Sequence, residues 1–153
     1  MLLKDSRLKI DRAKEHIRNI EIRLKLMNES DTAVVEIHPH TGGEILKHDF
    51  ADTSAFSDIA LMLGDAVHYL NCALDYTWLQ TIERLAPRAV TRHAKFPVGQ
   101  TIDDLENALR GGKIDTSSSK LFNFVVTQIQ PYSGGNYAIW PIHNLDIRAS
   151  IAS

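Results

Sequence analysis

Apolar positions along residues 5–29 follow a helical period. Ile10, Ala13, Ile17, Ile20, Leu24 and Met27 are spaced 3-4-3-4-3, and Leu3 extends the row by a further seven residues. This is a heptad seam, the pattern of a helix that packs lengthwise on another helix. Leu8, Ile22 and Leu26 widen the apolar face, and Lys, Arg and Glu fill most of the rest. A face wider than a two-position stripe predicts a bundle rather than an isolated coiled coil. "MNES" at 27–30 ends the helix.

The period then changes. Val34, Val35 and Ile37 are β-branched, Thr41-Gly42-Gly43 supplies turn chemistry, and "EILKHDF" runs back. A β-hairpin at about 32–49 is predicted, with Glu36 opposite Lys47 as a favourable cross-strand pair. The helical period returns over residues 55–85, where Phe56, Ile59, Leu63, Val67, Leu70, Leu74, Trp78, Ile82 and Leu85 form a broad apolar face. Ser54 or Asp52 caps this central helix and Pro87 stops it. Leu61 and Met62 lie off the face, so neighbours are expected on more than one side.

Residues 87–101 read as a connecting loop. A short helix follows at 102–110, with Asp103, Asp104 and Glu106 in its first turn and Gly111-Gly112 closing it. Another spans 117–129, capped by Thr116 or Ser117 and ended by Pro131. A last one spans 136–146. The predicted fold is mainly α with one β element. Two long antiparallel helices are joined by the hairpin, and shorter helices pack on them in one domain over residues 1–153.

Composition narrows the class of partner. The chain has 153 residues, 44% hydrophobic and 24% charged, with a formal net charge of −2. That is an ordinary globular balance, without the basic excess of a domain devoted to nucleic acid. The single cysteine, Cys72, permits no intrachain disulfide, and a reduced, cytoplasmic setting is expected. The longest clean apolar run, "IALMLG" at 59–64, is too short to span a bilayer.

Candidate chemistry concentrates in "GDAVHYLNCALDY" at 64–76. Asp65, His68, Cys72 and Asp75 are spaced 3-4-3 and share one helical stripe, bordered by Asn71. Carboxylates and His on one face can ligate metal or carry protons. That use needs partners from other helices, for which His16 and His143 are the candidates. The competing reading, which is favoured, is a hydrogen-bonded polar seam between helices. His38, His40 and His48 around the hairpin turn read as surface residues. Neither Gly-Gly pair has a phosphate loop's flanking residues, and no zinc-ligand motif is present. No metal or cofactor is expected. Cys72 in mid-helix is a poor nucleophile candidate, because apolar surroundings disfavour a thiolate.

Several stretches resemble, in order, a family of uncharacterised bacterial and phage proteins. They are "AKEHI" at 13–17, "GDAVHYLNCALDY" at 64–76, "KFPV" at 95–98, "IQPY" at 129–132 and "IWPIHNLDI" at 139–147. They parallel an AxEHI-like helix, a GDALHNLRSALDH-like motif, FPI, QPY and an LxNxDKHR-like stretch. The family's Arg and terminal KHR are similar to the Arg and His of HEPN-type ribonucleases. In this chain Asn71 replaces that Arg, Tyr69 replaces an Asn, and "NLDIR" leads into "ASIAS". The resemblance thus implies a shortened, diverged member, encoded on a mobile element, that lacks the main cations of any such centre.

Two functional expectations follow. The first is a non-catalytic interaction protein that homodimerises through the Ile10, Ala13, Ile17, Ile20, Leu24 and Met27 seam, because two long helices with wide apolar faces need cover. Its further partner, a small molecule or a protein, is left open. The second is a HEPN-like or metal-dependent helical hydrolase or nuclease. It would use Asp65, His68 and Asp75, with His16 or His143 contributed from other helices.

Overall fold

The computed structural model describes residues 3–30, 32–49, 54–89 and 94–152. Two long helices dominate it, α1 (Lys4–Ser30) and α2 (Ser54–Leu85), joined by an antiparallel hairpin of β1 (Thr32–Ile37) and β2 (Glu44–Asp49). Helix α1 runs antiparallel to α2. Near its start the Leu3 N–H donates to Gln80 Oε1 at 2.9 Å, and the Ser6 and Thr77 hydroxyls are hydrogen-bonded at 3.0 Å. Near its end Arg23 pairs with Asp58 at 2.6 Å.

Helix α2 does not sit squarely on the predicted seam. The α1 residues it buries or half-buries are Ser6, Lys9, Ala13, His16, Ile20, Arg23 and Met27. Ala13, Ile20 and Met27 therefore belong to the contact, while Ile10, Ile17 and Leu24 face outward. The buried sides are lined by small residues, Ala13 on α1 and Ala66 and Ala73 on α2. Small side chains let two helix backbones approach closely and leave less apolar area inside the joint.

The hairpin register differs from the expected one. Val34 pairs with Lys47 and Glu36 with Ile45. The Glu36–Lys47 pairing is thereby corrected by a shift of two residues, which leaves every side chain on the same face of the ribbon. The six-residue connection holds itself: His38 N–H donates to Gly43 O at 2.7 Å, Gly42 N–H to His38 O at 2.9 Å, and Gly42 takes φ 66°. His38 Nδ1 accepts from Thr41 N at 3.2 Å, a turn role for that ring. The side chain of His48 lies outside the described residues, as does Asp52, one of the two caps expected for α2.

Beyond α2 come α3 (Ile102–Gly111), α4 (Ile114–Ser117), α5 (Ser119–Phe124), a π-helical turn at Val125–Ile129 and α6 (Ile139–Ala152). Helix α3 begins with a reciprocal capping box between Thr101 and Asp104. The predicted helix over 117–129 is instead capped by Ser118, which accepts from Leu121 N–H, and it widens into the π turn before Gln130 reverses the chain at φ 53°. The last helix starts three residues later than expected and runs to Ala152.

The main core lies at the C-terminal half of α2. Trp78 and Ile82 pack there with Leu105 and Leu109 of α3, Ile114, and Leu121 and Val125 of the α5 segment. No helix among the described residues is long and apolar enough to cross a membrane.

Candidate functional site

The stripe on α2 is where helix α6 docks. Asp146 of α6 reaches two of its residues: Asn71 Nδ2 donates to Asp146 Oδ2 at 2.7 Å, and His68 Nδ1 lies 3.1 Å from Asp146 Oδ1. A carboxylate accepts hydrogen bonds, so the ring nitrogen facing it carries the proton. In a neutral imidazole that leaves His68 Nε2 as the acceptor. It faces Cys72 Sγ, one helical turn on, at 3.5 Å. Burial pushes the Cys72 thiol above its ordinary pKa. Lys9 and Lys95 pull it down, while Asp75 and Asp146 push it further up.

Asp75 is already engaged. Its Oδ1 accepts from the Phe96 N–H at 2.8 Å, and the Phe96 ring meets Trp78 edge-on at 5.9 Å. This clips the "KFPV" segment onto α2. The same segment continues to Gly99, whose N–H donates to Pro131 O at 3.1 Å and which bridges to Tyr132. Three of the motif stretches of the sequence therefore meet, the first joined through the Asp75 side chain and the others through backbone bonds. Gly99 is required at that meeting, because a Cβ there would fall 2.6 Å from Leu105 N and Thr101 O.

The other candidates lie elsewhere. His16 stacks on Tyr69 at 5.6 Å and 18°, and the Lys9 ammonium sits 4.9 Å from the Tyr69 centroid. His16 Nδ1 is buried and has no hydrogen-bond partner among the described residues. His143 lines a different feature, a cavity of about 380 Å³ bordered by Trp78, Ile82, Phe96, Leu109 and Ile114. Asp65 is exposed. Of the six residues singled out, then, the structure brings His68 and Asn71 together, sets Asp75 near them on α2 in a structural role, places His16 across the Tyr69 ring from His68, and separates Asp65 and His143 from them.

Asp146 was missed by sequence reasoning, although it lies inside "IHNLDI", the stretch marked by resemblance. Cys72 was on the stripe, and its distance of four residues from His68 was the available signal for their contact. Among the described residues no group of three or more His, Cys, Asp or Glu is arranged to hold a metal ion. Chemically the seam can fix one imidazole tautomer and aim its free nitrogen at a thiol. No family model, curated protein or solved structure matches the chain.

Proposed function

We propose that this protein is an interaction module that works as a two-fold homodimer, with the polar seam of α2 and α6 serving as internal structure. The observation that carries this reading is the half of the heptad seam that α2 leaves bare. Ile10, Ile17 and Leu24 are 36%, 42% and 48% exposed. Ile10 borders a small apolar groove with Leu70, Leu74 and Ile142, so this row shares a side with part of α2. Leu63, seven residues before Leu70 and 50% exposed, continues that side. A sequence that keeps both heptad positions apolar while one helix covers half of them has a second helix to accommodate.

The area involved is large. The chain exposes 10568 Å², against roughly 7,800 Å² from the size scaling of monomeric proteins at 17.2 kDa. A surplus of roughly 2,800 Å² is the mark of an open fold in which apolar faces such as this row stay uncovered. The hairpin adds to it. Its strands contact chiefly each other, and Val35, Ile37 and Leu46 on one face are all exposed. A two-stranded ribbon is marginal in water by itself, and a second copy gives it a surface to lie on. Light scattering on a size-exclusion column tests the reading: a mass of two chains is expected at micromolar concentration, and a single-chain mass up to ~100 µM rejects it.

The hydrolase alternative has less behind it. Asp75 is spent on the Phe96 N–H, His143 lines a different cavity, and the Tyr69 ring lies between His16 and His68.

A further inference from the structure

The cavity that His143 borders lies apart from both the polar seam and the bare row of α1. It holds about 380 Å³, and its walls come from α2, the segment 94–98, the end of α3 with Ile114, and α6. Protein interiors leave few voids larger than a water molecule, so a space of this size beside the main core is a departure. An engineered apolar cavity of about 150 Å³ takes up benzene, and small-molecule sites begin near roughly 300 Å³. The space therefore suits two fused rings with a short substituent.

Floor and mouth differ in chemistry. Trp78, Ile82, Leu109 and Ile114 are buried and form the floor. Lys95 is exposed and His143 half-buried, which puts them at the mouth. They are the ionisable side chains of the lining, and neither makes a hydrogen bond or ion pair with another described residue. Helix-end carbonyls would repel an anion, but those of Ala108 and Arg110 are taken up by the Gly112 N–H, and Arg110 O also by Lys113 N–H. The walls are held independently of any ligand. Asp75 accepts from the Phe96 N–H, Gly99 N–H donates to Pro131 O, and the Thr101–Asp104 box fixes the start of α3. A preformed site binds without the cost of ordering its walls.

We propose that this cavity binds a small aromatic carboxylate, its rings on the Trp78 floor and its carboxylate at the mouth against Lys95 and His143. Trp78 and Phe96 meet edge-on at 5.9 Å and offer ring surfaces on two walls, which favours a flat aromatic body. The Lys95 ammonium carries three donors and a carboxylate accepts at both oxygens. At the mouth the carboxylate keeps part of its hydration, so the cost of burying a charge is avoided. No α1 residue lines the cavity, so the site stands or falls separately from the homodimer.

The test titrates the isotope-labelled full chain at one neutral pH with naphthoate and, separately, with naphthalenemethanol, its uncharged counterpart, followed by NMR. Saturable shifts are expected at the Trp78 indole N–H and at the Gly111 and Gly112 amides, with a Kd of about 0.1–1 mM for naphthoate and about fivefold or more weaker for the alcohol. Lys95→Gln should bring naphthoate down to the alcohol's affinity, and Lys95→Arg should keep most of it. A side chain at Gly112 would start 3.7 Å from the Ile114 side chain, in ordinary contact and at φ −78°. Gly112→Leu should therefore fill the floor and abolish binding of both compounds. If that variant fails to fold, the exposed Lys95 pair decides. The proposal is overturned by the absence of saturable shifts, by equal Kd for acid and alcohol, or by a Lys95→Gln variant that binds naphthoate as wild type does. Shifts confined to the Ile10, Ile17 and Leu24 row overturn it as well, since the compound would then be coating the bare face of α1.

Discussion

Replacing Ile17 and Leu24 together with Ser should split the proposed dimer and leave the protomer folded. Both side chains are nearly half exposed in the single chain, so each protomer loses little of its own packing. Full burial of a Leu or Ile is worth about 1.5–3 kcal/mol, so covering the exposed half of each is worth about 1 kcal/mol. A two-fold axis counts every side chain twice, giving about 4 kcal/mol for the pair, or roughly a thousandfold in Kd. Sedimentation equilibrium across a concentration series reads that shift directly, and circular dichroism checks that helicity is kept. The reasoning is refuted if the double variant associates as tightly as wild type. It is also refuted if the variant loses its helical signal, because the row would then belong to the protomer's own core.

Other consequences are local. Ile37→Ser with Leu46→Ser should weaken association while leaving the thermal midpoint of the monomer unchanged, since the hairpin contacts chiefly itself; an unfolded protein would show the ribbon to be part of the core. Gly99→Ala should cost about 1–3 kcal/mol and lower the melting temperature by about 3–10 °C, because the added methyl meets backbone that cannot step aside; an unchanged melt refutes the packing argument. Asp75→Ala should leave the Phe96 N–H without its acceptor, at a cost of about 1–3 kcal/mol. Hydrogen exchange at Phe96 should then quicken more than exchange within α2, and equal exchange would dismiss the clip.

The elements were legible where local chemistry and periodicity agree. The bounds of α1 and α2 follow from long apolar periods, and the start of α3 from its acidic first turn. Hairpin register was not legible because a shift of two residues preserves face alternation, so Val34 and Glu36 satisfy the pattern equally well opposite Lys47. The side of α1 that meets α2 was misjudged for a related reason. Ser6, Lys9, His16 and Arg23 contribute through hydroxyl, stem and ring, which a count of apolar positions passes over. At the seam, the spacing of His68 and Cys72 on one helix could be read directly. Asp146 could not, because its contact depends on how α6 crosses α2, a tertiary fact with no local signature.

The reach from Asn71 to Asp146, 75 residues along the chain, imposes an order on synthesis. At about 5–20 residues per second, the helices α1 and α2 and their hairpin leave the ribosome several seconds before Asp146 exists. Through that interval His68 and Asn71 must find their hydrogen bonds in water, which an exposed stripe allows and an apolar one would not. The polar character of the stripe thus lets a half-made chain wait without presenting another sticky surface, and arrival of the last helix gives His68 and Asn71 their carboxylate partner.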